Sequence, residues 1–116
     1  MTDVKPVTFL GDSLAPLRDF PADARAEAGF QLSEVQHGND PGDWKPLKAV
    51  GPGVREIRIR EASGAFRLIY LATLPDRVLV LHAFQKKTQA TPHKDIELAA
   101  RRLREWKLRD ERRNFR

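Results

Sequence analysis

The stretch VREIRIREASGAFRLIYLATLPDRVLVLHAFQKK, residues 54–87, decides the fold of this chain. Its first eight residues, 54–61, alternate between apolar and charged side chains. Ile57 and Ile59 therefore point to one side of an extended chain and the charged residues between them to the other. This alternation predicts a β-strand with one buried face.

Two further strands are expected at residues 66–72 and 78–84, separated by turns at residues 62–65 and 75–77. The last of these strands is apolar at every position except His82. A continuous apolar run of that length is typical of a central strand that is covered on both faces. The three strands together predict an antiparallel meander.

The residues before the meander predict a short strand at 5–10 and a helix at 13–20, followed by a second helix that starts at Pro21. The second helix carries an apolar stripe at helical spacing, Ala24, Ala28, Leu32 and Val35. Residues 37–44 are rich in Gly, Pro, Asn and Asp and are predicted to form a loop.

After the meander, Thr91 and Pro92 are expected as the N-cap and first residue of a final helix. Its apolar stripe is Ile96, Ala99, Ala100, Leu103 and Trp106, and the basic residues outside it are Arg101, Arg102, Arg104 and Lys107. The predicted class is α+β, in the order β-α-α-β-β-β-α. We expect a curved antiparallel sheet with the two N-terminal helices packed on one face, together with a C-terminal helix.

The length of 116 residues predicts a single domain, residues 1–116, in which the charged tail at 109–116 frays. The absence of cysteine excludes disulfides and thiolate metal sites. The first residues do not form a signal peptide, and the chain contains no apolar run of about 18 residues. We therefore expect a cytoplasmic protein.

The formal net charge is +5, and it is unevenly distributed along the chain. The basic residues of the first 44 positions, Lys5, Arg18 and Arg25, are outnumbered by acidic ones, whereas the chain from Lys45 onward is strongly basic. A positive field of this kind favours polyanionic partners such as nucleic acids, although it also serves solubility.

The common catalytic patterns are missing. The chain has three histidines but no HExxH pattern, and its glycines form no GxGxxG or phosphate-binding loop. Its serines lie in no nucleophile elbow. We therefore expect neither a metal nor another cofactor, and no enzyme that depends on a metal or on a serine or cysteine nucleophile.

A set of basic residues remains, on or beside the predicted sheet. Arg58 should lie across the hairpin from Arg67, which interrupts an apolar strand and requires either an ion pair or a functional role. The other members of the set are Arg60, Lys45, Lys48, Lys86 and Lys87. Several fixed cations can hold a phosphodiester and stabilise the charge that develops during RNA cleavage by the ribose 2′-hydroxyl. Simple pairing of Arg58 with Glu56 or Glu61, and of Arg67 with a neighbour, is the alternative.

Proton transfer in such a site would fall to His82, His93 or Glu56. Phe84 and His82 stand next to the paired lysines and are candidates for contact with a bound base. The alternatives are that Phe84 packs in the core and that His82 is a hydrogen-bonded histidine of the sheet.

The segments KPLK (45–48), GVREIRIR (53–60), GAFRLIYL (64–71) and VLVLHAFQKKTQATP (78–92), with the helix that follows, resemble the phage-related, HigB-like branch of the RelE/ParE toxin superfamily. The resemblance covers residues 5–108. It implies a small α/β toxin of a type II toxin–antitoxin system that cuts mRNA on the ribosome without a metal. It also implies a cognate antitoxin, often of the helix-turn-helix type.

The resemblance also implies roles for individual residues. Arg67 matches the arginine that contacts the scissile phosphate, and Lys86 and Lys87 match the basic pair after the central strand. Lys48 matches a basic residue that binds RNA and helps to deprotonate the nucleophile. Where the RelE pattern has a tyrosine, this chain has Thr91 and His93, so His93 becomes a catalytic candidate. Arg58, Arg60, Lys45, Phe84 and His82 are the expected substrate-binding residues.

Two rival functions share this fold or its charge. A ParE-like toxin acts on gyrase and is not a nuclease. A non-enzymatic module would use the same basic residues to bind nucleic acid or the acidic segment of an antitoxin.

Overall fold

The structure is a computed structural model. It describes the backbone of residues 4–87 and 90–114 and the side chains of these ranges up to residue 110. Its elements in chain order are β1 (Val7–Phe9), α1 (Leu14–Arg18), α2 (Ala22–Gln36), β2 (Trp44–Pro46), β3 (Val54–Glu61), β4 (Gly64–Leu71), β5 (Val78–Lys86) and α3 (His93–Asn114). The α+β class is as predicted. Thr88 and Gln89 of the quoted motif lie outside the described residues, as do residues 115 and 116, and the fraying of the tail stays a prediction.

The strand β2 was not expected, and the predicted loop at 37–44 is wrong at its last residue, Trp44. The strand has only three residues and pairs with β3, with Trp44 opposite Ile57. A strand of three residues is too short to show an alternating pattern in the sequence. Its extended conformation depends on the neighbouring strand with which it pairs.

The five strands form one sheet in the order β1-β5-β4-β3-β2. The antiparallel meander of β3, β4 and β5 is confirmed, and Arg58 lies opposite Arg67 as expected. The expectation of a wholly antiparallel sheet is wrong, because β1 runs parallel to β5, with Val7 opposite Val78. The direction of a three-residue edge strand cannot be read from its side chains, whereas hairpin turns fix the direction of the meander.

The helices α1 and α2 pack on one face of the sheet, here called the α2 face. The predicted stripe of α2 is buried there, against apolar residues of β3, β4 and β5 that include Ile57, Ile59, Phe66 and Leu68. The face assigned to Ile57 and Ile59 from the sequence is therefore confirmed.

The helix α3 packs on the opposite face of the sheet, here called the α3 face. Its predicted stripe is confirmed: Ala99 and Leu103 are buried against Val54, Leu71 and Leu79, with Ile96, Ala100 and Trp106 packed beside them. Both faces of β5 are apolar, so helices must pack on each of them to exclude water. Of the helices in the described ranges, none is long and apolar enough to cross a membrane.

A β-bulge in β5 places two consecutive side chains on the α3 face. Ile69 of β4 pairs with His82, but Tyr70 pairs with Val80, so Leu81 is the extra residue. Leu81 packs in the core beneath α3, and His82 contacts Asp95 of the same helix.

Two details of α3 differ from expectation. The helix begins at His93, where the backbone N–H groups of Asp95 and Ile96 donate to the carbonyl of Pro92. The expected cap, Thr91, instead donates its hydroxyl to Glu56. Arg102 was placed outside the buried stripe but is largely covered, because it donates to the carbonyl of the bulge residue Leu81 and pairs with Asp12.

Candidate functional site

The apolar contacts of α3 reach only part of the α3 face. They cover Val54 of β3 and Ile69 and Leu71 of β4. Near the β3–β4 turn, the same face carries arginines and lysines and opens into a cavity of about 520 Å³. The cavity is lined by Arg60, Glu61, Gly64, Ala65, Arg67, Lys86 and Lys87.

Strand register brings the cations of this cavity together. Arg58 faces Arg67 across β3 and β4, and Ala65 has Arg60 on one side and Lys86 on the other. Like charges directly opposite each other on a sheet are destabilising. An arrangement of this kind suits an anionic ligand, which would relieve the repulsion.

The turn that forms the rim of the cavity is held in a fixed position. Gly64 has φ of +137°, a conformation that side-chain-bearing residues rarely adopt. The hydroxyl of Ser63 donates to Asp23 of α2 at 2.6 Å, which lowers the pKa of that exposed carboxyl. The hairpin is thereby tied to the helix on the opposite face.

Arg67 is the most enclosed cation of the cavity, with 3% of its side chain exposed. Its Nη1 donates to the carbonyl of Phe66 at 3.0 Å, and its Nε lies 3.4 Å from Oε1 of Glu56. Burial lowers the pKa of Arg67, and the charges of Arg58 and Arg60 lower it further, against the opposing effect of Glu56. Arginine nevertheless stays protonated in proteins, so Arg67 is a fixed positive charge.

Glu56 is the internal counter-ion of this site and is fully buried. Besides Arg67, its Oε1 lies 3.7 Å from Nζ of Lys45, and its Oε2 accepts the hydroxyl of Thr91 at 2.5 Å. The pairing of Arg67 with a neighbour, one of the alternatives considered from the sequence, is therefore present. No ion pair of Arg58 is found among the described residues, and its Nε has no hydrogen-bond partner there.

Lys86 is half-buried at the end of β5, next to the exposed Lys87. Burial lowers the pKa of Lys86, and the nearby charges of Arg67, Lys45 and Arg58 add to this effect, while Glu56 opposes it. These influences show that the four cations and the buried carboxylate share one electrostatic environment. A lysine in this setting gives up its proton more readily than an ordinary one.

The histidines and Lys48 lie away from the cavity lining. His82 is 8% exposed; its Nε2 lies 2.7 Å from Oδ1 of Asp95, and its ring stacks on Phe84 at a centroid distance of 5.1 Å. His93 is exposed and pairs with Glu97 on the first turn of α3. Lys48 is exposed in the turn after β2 and does not line the cavity.

Two partners in this region were missed from the sequence, Asp95 and Thr91. Asp95 pairs with His82, which lies 13 residues earlier in the chain. The need for such a partner could have been predicted, because a histidine in a buried strand requires a hydrogen-bonding group. Thr91 was read as a helix cap, since a threonine before a proline fits that role equally well. Within the part of the chain that the structure describes, no group of three or more His, Asp or Glu side chains could hold a metal ion.

The family model described as Phage derived protein Gp49-like (DUF891) matches residues 15–104. Because the match covers most of the chain, the protein belongs to this phage-derived Gp49-like family, which is associated with RelE-like toxins of toxin–antitoxin systems. No curated protein matches the chain. The family membership agrees with the toxin superfamily expected from the sequence, at a coarser level than the HigB branch.

Proposed function

We propose that this protein is the toxin of a type II toxin–antitoxin system and acts as a metal-independent endoribonuclease on ribosome-bound mRNA. The observation that carries the proposal is the convergence of Arg60, Arg67, Lys86 and Lys87 on one open cavity. The family association supports the toxin class.

The cavity suits a phosphodiester for electrostatic reasons. In the proposed reaction, the ribose 2′-oxygen attacks phosphorus as the bond to the 5′-oxygen breaks, which gives a 2′,3′-cyclic phosphate and a 5′-hydroxyl. Negative charge builds on the non-bridging oxygens during this step. Arg67, held in place by the Phe66 carbonyl and by Glu56, would stabilise that charge from a preorganised position. Arg60 and Lys87 would bind the neighbouring backbone, with Arg58 and Lys45 adding to the field.

The same step moves two protons, one from the 2′-hydroxyl and one to the 5′-oxygen. We assign the second transfer to Lys86, which as an ammonium at the cavity wall donates its proton to the departing 5′-oxygen, while solvent water accepts the proton of the 2′-hydroxyl. His82 is held by Asp95 and His93 by Glu97, so we assign them no step in the free protein. A cognate antitoxin, expected to be of the helix-turn-helix type, would complete the system as the partner that neutralises this face.

The test is induction of the chain in a bacterial host, with growth and the 5′ ends of mRNAs followed together. Arg67→Ala and Lys87→Ala remove cations of the cavity, and Arg18→Ala, at the exposed end of α1, is the matched control. We expect arrest with new mRNA ends for the original chain and for the control, and loss of both effects in the two cavity variants. Arrest without new mRNA ends would favour the gyrase-directed alternative, and absence of arrest by the folded protein would favour a binding module.

A further inference from the structure

A second cavity lies on the α2 face, at the opposite end of the β3–β4 hairpin from the basic cavity. Its volume is about 220 Å³, and its walls include Lys5, Val35, Asn39, Arg55, Tyr70 and Thr73. At roughly 30 Å³ per water molecule, this space accommodates several waters or a small organic ion. Nothing in the proposed nuclease reaction uses it.

The Tyr70 hydroxyl is the unusual feature of this second cavity. The residue is 1% exposed, and no group of the described residues accepts the hydrogen of its hydroxyl. Arg55 lines the same cavity, but a guanidinium can only donate to the hydroxyl oxygen. Burial raises the pKa of Tyr70, and the hydrogen bond and charge of Arg55 partly oppose that rise. Buried hydroxyl groups in folded proteins are nearly always hydrogen-bonded, so an O–H without an acceptor at a cavity wall marks a place for one.

Arg55 supplies the positive charge of the cavity in a fixed orientation. Its guanidinium lies 3.8 Å above the ring of Trp44, and its Nη1 donates to Oδ1 of Asp40 at 2.8 Å. A guanidinium carries five donors, so this contact leaves others for a second acceptor. Lys5 is directed elsewhere, because its ammonium donates to the carbonyls of Ala72 and Leu74.

The charges and walls define the chemical class of the ligand. Lys5 and Arg55 against Asp40 leave one net positive charge, which favours a monoanion over a dianion such as hydrogen phosphate. Val35 and the methyl group of Thr73 suit a short apolar stem. Asp40 already shows the binding mode, a carboxylate against Arg55.

We propose that this second cavity is a carboxylate-binding site, in which Arg55 and the Tyr70 hydroxyl donate to the same bound carboxylate. The carboxylate comes either from a small free acid or from an acidic side chain of a protein partner. This proposal does not depend on the proposed nuclease function, and the two are tested by separate experiments.

Trp44 provides the reporter for the test. In a Trp106→Phe background it is the remaining tryptophan, and its contact with Arg55 makes its fluorescence sensitive to the site. The full chain is titrated at neutral pH with sodium acetate, with ionic strength held constant by sodium chloride. We expect a saturable change that chloride alone does not produce. Tyr70→Phe should weaken acetate binding about tenfold or more, because a hydrogen bond to a charged acceptor is lost. Arg60→Gln, in the other cavity, should leave it unchanged.

Two peptide arms distinguish the sources of the carboxylate. A short peptide with one glutamate is compared with the same peptide carrying glutamine. Tighter binding of the glutamate peptide than of acetate assigns the site to a protein partner, and binding of acetate alone assigns it to a free acid.

The stability of the unliganded Tyr70→Phe variant tests the premise itself. An O–H without an acceptor adds little to stability, so the Tm should stay close to that of the parent. A marked loss of Tm would show that the hydroxyl hydrogen already has a structural acceptor, and that result would overturn the proposal. A linear acetate titration, or equal binding by the Tyr70→Phe variant, would overturn it as well.

Discussion

At the scale of single residues, the position of Arg67 is maintained by a small set of polar contacts on an otherwise apolar sheet. The guanidinium is almost wholly buried, and Glu56, itself fully buried, supplies the compensating charge. Lys45 lies 3.7 Å from the same carboxylate oxygen, and Thr91 donates its hydroxyl to the other one. Removing one member of a buried pair is costly because the other charge is left without compensation.

Replacing Glu56 with glutamine should therefore destabilise the fold. The variant keeps the shape of the side chain but leaves Arg67 without a counter-ion. Because the cavity admits solvent, we expect a loss of about 2–3 kcal/mol in the free energy of unfolding, below the value of about 3–5 kcal/mol for fully enclosed pairs. Urea denaturation measures this loss. Glu97→Gln, which breaks an exposed pair with His93, is the control and should cost less than about 0.5 kcal/mol. Equal stability of the two variants would contradict the assigned role of Glu56.

The titration of Lys86 should report on the same group of charges. Its pKa lies below the ordinary value of 10.5, through burial first and the charge of Arg67 second. We expect an NMR titration of the Lys86 side chain to show this lowering, and Arg67→Ala to move the pKa part of the way back. Arg77→Ala, at the exposed turn before β5, should leave it unchanged.

The sign of the accompanying stability change follows from proton binding. Just below pH 10.5 the unfolded chain holds the Lys86 proton more tightly than the folded one. The contribution of this residue to stability therefore rises with pH through that range. A Lys86 pKa at or above the ordinary value would contradict the shared electrostatic environment.

At the scale of elements, two glycines should respond to alanine with opposite signs. Gly11 joins β1 to α1 with φ of +57°, and an added Cβ would lie 2.6 Å from Nε of Arg102. We expect Gly11→Ala to destabilise by about 1–2 kcal/mol or more, from the left-handed conformation and from displacement of Arg102. Gly29 lies in α2 with open space around its Cα, and Gly29→Ala should stabilise by roughly 0.5–1 kcal/mol. Thermal unfolding of both variants checks the pair, and a Tm of Gly11→Ala at or above that of the parent would refute the account of the β1–α1 junction.

The elements that were predicted correctly are those whose own residues determine them. The alternation of β3 and the apolar run of β5 both follow from burial, and the stripes of α2 and α3 do so as well. The elements that were missed depend on partners far away in the chain: β2 is extended because β3 lies beside it, and β1 takes its direction from β5. The same distinction holds in the site. The Arg58–Arg67 register follows from a local hairpin, whereas the Glu56–Thr91 contact joins residues 35 positions apart.

At the scale of the whole molecule, the fold concentrates positive charge at one end of the α3 face. The acidic residues of positions 4–44 lie in α2, in the loop that follows it and in the residues that flank α1, while the cations of the cavity come from β3, β4 and the end of β5. A phosphate backbone would therefore meet a localised field and not a uniformly charged surface. Such binding releases counterions from the phosphates. The logarithm of the binding constant therefore falls linearly with the logarithm of the salt concentration, with a slope proportional to the number of phosphates neutralised.

The salt dependence of RNA binding should identify which cations take part in the contact. The ligand is a single-stranded RNA whose 2′-hydroxyl groups are methylated, so that it cannot be cleaved, and fluorescence anisotropy follows its affinity over a range of salt concentrations. Lys87 is exposed at the cavity, so Lys87→Ala should reduce the slope of log K against log salt by about 0.7, the value for one phosphate contact with a single strand. Arg18→Ala removes the same charge from the opposite side of the sheet and should lower neither the slope nor the affinity. If the two variants changed the slope equally, RNA would be responding to net charge alone, and the cavity would have no special part in binding it.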